Sequence, residues 1–306
     1  MFIIYLLIFI SILIFVISTI TFKLTFLRSK KESNMFNLPI SKVYDSYKDF
    51  FSKLILELDN LKCEDIYIKS HDGLKLHGRY YHIKDNAPIC ICFHGYRSSS
   101  SKDFCCGIKM CFENEFNVLL VDHRAHGKSS GQVITFGIKE RYDCLDWINY
   151  IDKKFPDSKI FLFGISMGAS TAIMASSLIT SQNVVGIIAD CPYSSPKLII
   201  KKIATDMRLP CNILYPFIYL GAKLFGGFDI NESNCMNEIK NSKIPTLLIH
   251  GESDSFTPCQ MSKEIKKYAS ENVNLILFPK ADHGLSYISD KKLYKQVVKE
   301  FIKNIG

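Results

Sequence analysis

The pattern of hydrophobic and polar residues divides the chain into three parts. Residues 2–22 are almost wholly apolar and contain no Asp, Glu, Lys or Arg. Over residues 43–58, apolar side chains recur at helical spacing. From residue 61 onward, short apolar runs alternate with amphipathic stretches, which predicts strands separated by helices. We therefore expect a transmembrane anchor over residues 1–22, a linker with an amphipathic helix over residues 23–60, and an α/β domain over residues 61–306.

The first segment is long enough to cross a bilayer, because about 20 apolar residues span it as a helix. A cleaved signal peptide is the alternative, but it would carry basic residues before its apolar core and a small-x-small cleavage site. The first basic residue is Lys23, and ITFKLTFLRS contains no such site. We predict an uncleaved, single-pass anchor in contact with membrane lipid. By the positive-inside rule, the basic residues after the span place the domain on the cytoplasmic side; they are Lys23, Arg28, Lys30 and Lys31.

The second part begins with a mostly polar connector over residues 32–39, after which Ser41 is a candidate N-cap. The helix that follows has a broad apolar face formed by Val43, Tyr44, Tyr47, Phe50, Phe51, Leu54, Ile55 and Leu58. It could lie on the membrane beside the anchor. Because the face is broad and aromatic, we expect it to pack on the α/β domain instead.

The third part contains the strand candidates. They are EDIYIKS, LKLHGRYYHI, APICICF, FNVLLVD, KIFLF, VVGIIAD, PTLLIHG and VNLILFP, in chain order. The first two flank His71-Asp72-Gly73, which predicts a hairpin. Helical patterns over residues 108–112, 138–150 and 291–302 separate or follow later strands. Strands this apolar are buried on both faces, so we predict a mostly parallel sheet with helices on both sides.

Composition narrows the classes of function. The net charge of +8 comes from scattered lysines without a basic cluster interleaved with aromatics, so nucleic acid is not an expected partner. A basic protein at a membrane surface fits better. The cysteine count of eleven is odd, and several cysteines lie in apolar runs, which favours small core residues over a disulfide framework. Paired C-x-x-C motifs are missing, so a zinc site is not expected.

One stretch carries a specific chemical signal. The apolar run ending at Phe163 is followed by Gly164-Ile165-Ser166-Met167-Gly168 and then by a small-residue helix pattern. This is G-x-S-x-G between a strand and a helix, the context in which the motif forms a nucleophile elbow. Glycines on both sides of Ser166 remove side chains that would collide at so sharp a turn. The turn also directs the Met167 N–H toward the place where an oxyanion would form.

A serine hydroxyl needs an adjacent base, which an acid must orient. His283 follows the last strand in a loop with Gly284 and can reach the carboxyl edge of the sheet. Asp254 and Asp190 both follow strands at that edge, where open α/β sheets place their sites, so both are candidate acids. Asp282 is expected to be a solvated neighbour. The remaining histidines are assigned structural roles, with His94 and His126 also candidates for lining the pocket.

These features resemble the α/β-hydrolase family over roughly residues 61–306. The resemblance is carried by His94-Gly95-Tyr96-Arg97-Ser98, by Asp122-His123-Arg124-Ala125-His126-Gly127-Lys128-Ser129-Ser130-Gly131, by the elbow, by His250-Gly251-Glu252-Ser253-Asp254 with Thr257-Pro258, and by Ala281-Asp282-His283-Gly284. Ala125 stands where the family usually has glycine. The resemblance implies that Asp254 rather than Asp190 is the acid, and that the Tyr96 N–H is the second oxyanion donor.

The strand–helix rhythm breaks over residues 193–243, where an apolar helical stretch contains Lys197, Lys201, Lys202 and Arg208. By resemblance this is the cap that covers the pocket. An apolar cap on an anchored enzyme indicates a small-molecule or lipid-like acyl substrate, although these side chains could simply pack on the sheet. We predict a serine hydrolase that cleaves carboxylesters or thioesters without metal or organic cofactor. The alternatives are an aminopeptidase-like serine peptidase and a non-catalytic membrane scaffold of the same fold.

Overall fold

One eight-stranded sheet organises the part of the chain that the computed structural model describes, residues 1–28 and 46–305. The connector expected over residues 32–39, the candidate N-cap Ser41, the basic Lys30 and Lys31, and the helical residues Val43 and Tyr44 lie outside the described residues. The strands are β1 (Glu64–Lys69), β2 (Lys75–Tyr81), β3 (Ile89–Phe93), β4 (Asn117–Asp122), β5 (Ile160–Ile165), β6 (Val184–Asp190), β7 (Thr246–Gly251) and β8 (Val273–Phe278).

The strands are arranged in the order β1-β2-β4-β3-β5-β6-β7-β8. β2 runs antiparallel to both of its neighbours, and the other pairings are parallel. The β1–β2 hairpin forms because Gly73 adopts a φ of 92°, which glycine accepts without strain. The predicted mostly parallel α/β sheet is confirmed.

Helices cover both faces of the sheet. They are α1 (Phe2–Phe26), α2 (Lys48–Asp59), α3 (Ser100–Phe104), α4 (Gly107–Glu113), α5 (Glu140–Lys154), α6 (Met167–Ala175), α7 (Pro196–Asp206), α8 (Cys211–Gly221), α9 (Cys235–Asn241), α10 (Gln260–Tyr268), α11 (Ser286–Ser289) and α12 (Lys291–Ile305). A π-helical turn, Ala222–Gly226, continues α8. The period-two alternation of β3 shows the two layers: Ile89, Ile91 and Phe93 enter one core, and Cys90 and Cys92 the other.

The amphipathic helix α2 packs on the domain, as expected. Its residues Phe51, Ile55 and Leu58 are buried in the core that also contains α12. At its end, Asp59 accepts a hydrogen bond of 2.8 Å from Arg79 of β2. The packing of α2 was predictable because a broad apolar stripe needs a surface that covers it, and the domain provides one.

The apolar helix α1 is the only helix of the described chain that is long and apolar enough to cross a membrane, a property that it shares with signal sequences. It continues beyond the boundary predicted at residue 22, to Phe26. Lys23 is exposed, whereas Phe22 and Phe26, one turn apart, are buried in the core of the domain. Immediately after the helix, Leu27 pairs with Val133 and the Arg28 N–H donates to the Gln132 carbonyl at 2.8 Å. The end of α1 is therefore an integral part of the domain.

The stretch predicted as a cap, residues 193–243, contains α7, α8, the π-helical turn and α9 between β6 and β7. α7 begins at Pro196, with the Ser195 hydroxyl capping its first turn by accepting the Leu198 N–H. α8 packs against α1. The contact is close because Gly221 has no side chain: a Cβ there would lie 2.6 Å from the Ser18 carbonyl oxygen.

Candidate active site

The turn between β5 and α6 holds Ser166 in a strained backbone conformation, with φ 55° and ψ −114°. Two glycines make the turn possible. A Cβ on Gly164 would lie 2.3 Å from the Ala169 nitrogen, and one on Gly168 would lie 1.9 Å from the Phe93 carbonyl oxygen. Both distances are far below van der Waals contact. The structure thus gives the physical reason for the G-x-S-x-G spacing and leaves the serine side chain at the carboxyl edge of the sheet.

The structure brings together the three side chains that were predicted from the sequence as catalytic. The Ser166 Oγ lies 3.0 Å from His283 Nε2, and His283 Nδ1 lies 2.8 Å from an Asp254 carboxylate oxygen. Ser166 follows β5, Asp254 follows β7 and His283 follows β8, so all three come from carboxyl ends of parallel strands. This is the geometry in which a base can accept the serine proton while a carboxylate holds the imidazole tautomer.

Asp254 is buried and held by its own loop. One carboxylate oxygen accepts backbone N–H groups of Thr257 at 2.7 Å and Phe256 at 3.0 Å. Burial raises the pKa of Asp254, but His283 and His250 lower it more strongly, to about 2. The group is therefore a carboxylate at neutral pH, and it accepts the Nδ1–H of His283.

Burial lowers the pKa of His283, while the neighbouring Cys191 and Asp254 raise it, and the result lies well above the usual value of 6.5. Cys191 itself is a neutral thiol at pH 7, because burial raises its pKa to about 11. We therefore attribute the raised pKa of His283 mainly to the Asp254 carboxylate. The Phe256 ring also packs on the imidazole, with ring centroids 5.0 Å apart. Neither Cys191 nor Phe256 was singled out from the sequence, because neither belongs to a recognisable motif.

The loop after β3 passes beside the nucleophile. A Cβ on Gly95 would lie 3.4 Å from the Ser166 Cβ, so the backbone leading to Tyr96 runs next to the serine. The Gly95 N–H donates to Asp103 at 2.6 Å, which fixes this loop. On the other side, Met167 is the first residue of α6, where backbone N–H groups have no partner within the helix. Tyr96 thus follows a residue that lies beside Ser166, and Met167 directly follows Ser166, while their role as oxyanion donors stays a prediction.

The end of α1 supports the same loop, which the sequence did not reveal. The Tyr96 hydroxyl donates to the Thr25 carbonyl at 2.7 Å. Arg97 donates to the Leu24 and Leu27 carbonyls at 2.8 and 2.9 Å, and so caps the C-terminus of α1. The only sequence signal was the position of Arg97 directly after the predicted oxyanion residue.

The structural role predicted for His94 and His126 is confirmed, and the alternative of pocket lining is not supported. Both side chains are fully buried, with their ring centroids 4.8 Å apart. The Arg97 N–H donates to His126 Nε2 at 3.0 Å, and the His123 N–H donates to His94 Nε2 at 3.2 Å. Burial lowers the pKa of His126 to about 3, so the ring is neutral and able to accept this hydrogen bond. These histidines support the loops after β3 and β4.

The two other carboxylates near the base have different partners. Asp190 accepts the Tyr294 hydroxyl at 2.8 Å, and burial raises its pKa to about 6. Asp282 accepts the backbone N–H groups of Ser255 at 2.9 Å and His283 at 2.8 Å. Asp282 was expected to be a solvated neighbour; instead it joins the loops that carry Asp254 and His283.

Within the described ranges, three groups of side chains have donor atoms close enough together to hold a metal ion. They are Cys90, Cys92 and Cys111; Cys191, Asp254 and His283; and His71, Asp143 and Asp146. The second group shares its acid and histidine with the serine site. The absence of a metal or organic cofactor stays a prediction.

Comparison with known proteins agrees with this architecture. The Pyrococcus furiosus esterase Pf2001 superposes with a TM-score of 0.65 at 28% sequence identity, over 83% of this chain and 94% of that one. The chain has the α/β-hydrolase fold. A family model described as serine aminopeptidase, S33, matches residues 84–221 of this chain, from the connection after β2 to the last residue of α8.

Two curated bacterial proteins are similar to this chain. YqkD of Bacillus subtilis is 28% identical over 193 residues, covering 62% of this chain and 63% of that protein, slightly less than two thirds of its length. YfhR of Escherichia coli K12 is 25% identical over 278 residues, covering 88% of this chain and 86% of that protein. Both are described as uncharacterized proteins, so neither specifies an activity or a substrate.

Proposed function

We propose that this α/β hydrolase is a membrane-anchored serine hydrolase that cleaves carboxylester or thioester bonds through an acyl-enzyme on Ser166. The observation that carries the proposal is the hydrogen-bonded series Ser166–His283–Asp254, with distances of 3.0 and 2.8 Å. A hydroxyl, an imidazole and a buried carboxylate in this order form an arrangement that activates a serine as a nucleophile.

In the first half-reaction, Ser166 Oγ attacks the substrate carbonyl carbon and its proton moves to His283 Nε2. The N–H groups of Tyr96 and Met167 stabilise the negative charge that develops on the carbonyl oxygen, and losing one such donor costs about 3 kcal/mol of transition-state stabilisation. His283 then protonates the departing alcohol or thiol. In the second half-reaction His283 takes a proton from water, the hydroxide oxygen attacks the acyl-serine, and the carboxylic acid leaves as His283 returns the proton to Ser166 Oγ.

The anchor is part of the proposal because of the character of α1. Only 6% of the residues in the most apolar 18-residue stretch of α1 are buried, whereas a core helix of a soluble domain is mostly buried. Apolar side chains exposed along its length include Phe2, Ile3, Ile4, Leu7, Phe9 and Ile12. Such a surface is stable in lipid and unfavourable in water.

An acyl substrate is supported by the esterase similarity and by the apolar cap. A thioester and an ester place the same demands on the triad, so the bond type is left to experiment. The test is labelling of the full-length protein with a fluorophosphonate probe, followed by hydrolysis of p-nitrophenyl esters of increasing acyl length and of an acyl thioester. We expect labelling that is lost in Ser166→Ala, and rates that rise from short to medium chains. Folded protein that resists the probe would contradict the catalytic proposal and favour a scaffold.

A peptidase is the second candidate, favoured by the family model that describes a serine aminopeptidase over residues 84–221. The same triad can cleave an amide if the leaving amine is protonated by the base. Aminoacyl p-nitroanilides assayed beside the esters distinguish the two. Turnover of an anilide at a rate matching that of the best ester would favour the peptidase.

A further inference from the structure

Four large apolar side chains of the cap are exposed in the part of the chain that the structure describes. Ile213 of α8 is 66% exposed, and Leu224 of the π-helical turn is 58% exposed. Met207 and Leu209, in the connection that leads into α8, are 65% and 43% exposed. We call these four residues the cap apolar surface. Four large apolar side chains exposed within residues 207–224 favour a partner that covers them.

α8 is apolar on more than one side. The stripe that packs toward α1 and the core consists of Leu214, Ile218, Gly221 and Phe225. A second stripe, displaced by one residue, is also apolar and contains Ile213, Phe217, Leu220 and Leu224. A helix that is hydrophobic all round belongs in a protein core or in lipid. Within residues 1–28 and 46–305, Ile213 and Leu224 of the second stripe stay more than half exposed, and contact with lipid would cover them.

The cap packs along the second half of α1. Gly221 of α8 meets Ser18, and Phe225 of the π-helical turn packs on both Phe15 and Phe22, with centroids 5.4 and 5.6 Å apart. Phe228 packs on Phe26 with centroids 5.3 Å apart. The end of α8 and the π-helical turn therefore lie beside the last three turns of α1.

The length of α1 determines how deep this contact lies. The helix is about 37 Å long, at 1.5 Å per residue. Its first buried residue is Ser18, and the residues before that point span only about 24 Å, less than the roughly 30 Å of a bilayer core. A helix that spans the whole core must therefore place the turns around Ser18, together with the part of α8 beside them, at membrane depth.

We propose that α8 and the cap apolar surface lie in the interfacial layer of a phospholipid bilayer beside α1, so that lipid covers the second stripe. The inference rests on the anchor of the proposed function and adds a second membrane contact. Charge agrees with anionic lipid headgroups as the polar part of this contact. Residues 196–226 carry one acidic side chain, Asp206, and five basic ones, Lys197, Lys201, Lys202, Arg208 and Lys223.

This placement has a consequence for the substrate. The last turn of α1 touches the loop of the oxyanion donor through the 2.7 Å hydrogen bond between Tyr96 and Thr25. The rim of the active site thus lies next to the same membrane surface. A substrate whose acyl chain is dissolved in the adjacent leaflet can approach Ser166 without crossing the aqueous phase.

The test is quenching of tryptophan fluorescence in vesicles of phosphatidylglycerol and brominated phosphatidylcholine, with non-brominated vesicles as reference. The native Trp147 is fully buried, so it contributes a constant background. The full-length protein carries Ile213→Trp as the test, Leu6→Trp as a reference within α1, and Ile83→Trp as a matched control. Ile83 is 46% exposed, and its N–H donates to the side chain of Asn117, the first residue of β4. It thus lies at the amino end of the parallel strands, opposite the end that carries the candidate site.

We expect the emission in brominated vesicles, divided by that in non-brominated vesicles, to be lower for Ile213→Trp and Leu6→Trp than for wild type, and to equal the wild-type ratio for Ile83→Trp. Quenching of Leu6→Trp without quenching of Ile213→Trp overturns the docking of α8 but leaves the anchor. If Leu6→Trp is also unquenched, the anchor fails and the inference fails with it. Fluorophosphonate labelling of the same samples reports separately on the catalytic part of the proposed function and on folding.

Discussion

The two sides of the candidate site are held in place by different means. The acid–base side is formed by the loops after β7 and β8 and is held by hydrogen bonds. The Asp254 carboxylate accepts the Thr257 N–H, and the Asp282 carboxylate accepts the N–H groups of Ser255 and His283. The nucleophile side, formed by the loops after β3 and β5, depends on close backbone contacts at Gly164 and Gly168 and on support from α1. The acid–base side should thus be sensitive to changes of charge, and the nucleophile side to changes of side-chain volume and to loss of contacts with α1.

The largest expected effect separates the two buried carboxylates on the acid–base side. Asp254→Asn keeps the size of the side chain but no longer holds the correct tautomer of His283, so kcat for an ester should fall by roughly 10³- to 10⁴-fold. Asp190→Asn is the matched control, because Asp190 hydrogen-bonds to Tyr294 at 2.8 Å and not to the base. Steady-state kinetics of both variants checks this, and equal losses would mean that Asp190 shares the role of the acid.

The next effect is steric and belongs to the nucleophile side. Gly168→Ala places a Cβ 1.9 Å from the Phe93 carbonyl oxygen, so the turn must move. A displacement of about 1 Å at the reacting groups costs on the order of 10²-fold in rate. We expect at least that loss in kcat/KM together with a lower Tm.

Gly107→Ala is its control, because a Cβ there would meet its nearest neighbour at an ordinary 3.6 Å. This variant should keep wild-type activity and Tm. If Gly168→Ala behaved in the same way, close packing would not be what holds Ser166.

The pH dependence tests the electrostatics of the acid–base side. His283 must be neutral to accept the serine proton, and its pKa is raised above 6.5. Activity should therefore be present above this pKa and be lost as the pH falls through it, with the midpoint of kcat/KM above pH 6.5. In Asp254→Asn the residual activity should show a midpoint at lower pH, because the carboxylate that raises the pKa has been removed. A midpoint that does not move would assign the raised pKa to another group.

The smallest effect concerns the link between α1 and the oxyanion loop. Tyr96→Phe removes the hydrogen bond from the hydroxyl to the Thr25 carbonyl, and a neutral hydrogen bond contributes about 1 kcal/mol. We expect a loss of about fivefold in kcat, corresponding to that energy, with little change in KM. In Tyr80→Phe, the control, the hydroxyl that is removed is buried and has no hydrogen-bond partner within the described ranges. Equal kinetics for both variants would show that α1 does not influence the oxyanion loop.

Much of the fold could be predicted because its signals are local. A strand that is buried on both faces is apolar throughout, and VVGIIAD and PTLLIHG show this directly. The sharp turn at Ser166 requires glycines at fixed positions, so the motif is visible without the structure. Cys191, Phe256 and Arg97 were not predicted as parts of the site, because their roles depend on neighbours more than 20 positions away in the chain.

By itself, the sequence determined the apolar character of α1, the mostly parallel sheet, and which serine, aspartate and histidine stand at strand ends. Only the tertiary structure decided that Asp254 rather than Asp190 contacts His283, that His94 and His126 are buried supports, and that α1 ends inside the domain. The reason is physical: periodicity reports whether a side chain needs burial, whereas the partner that buries or hydrogen-bonds it depends on which distant elements the sheet brings together.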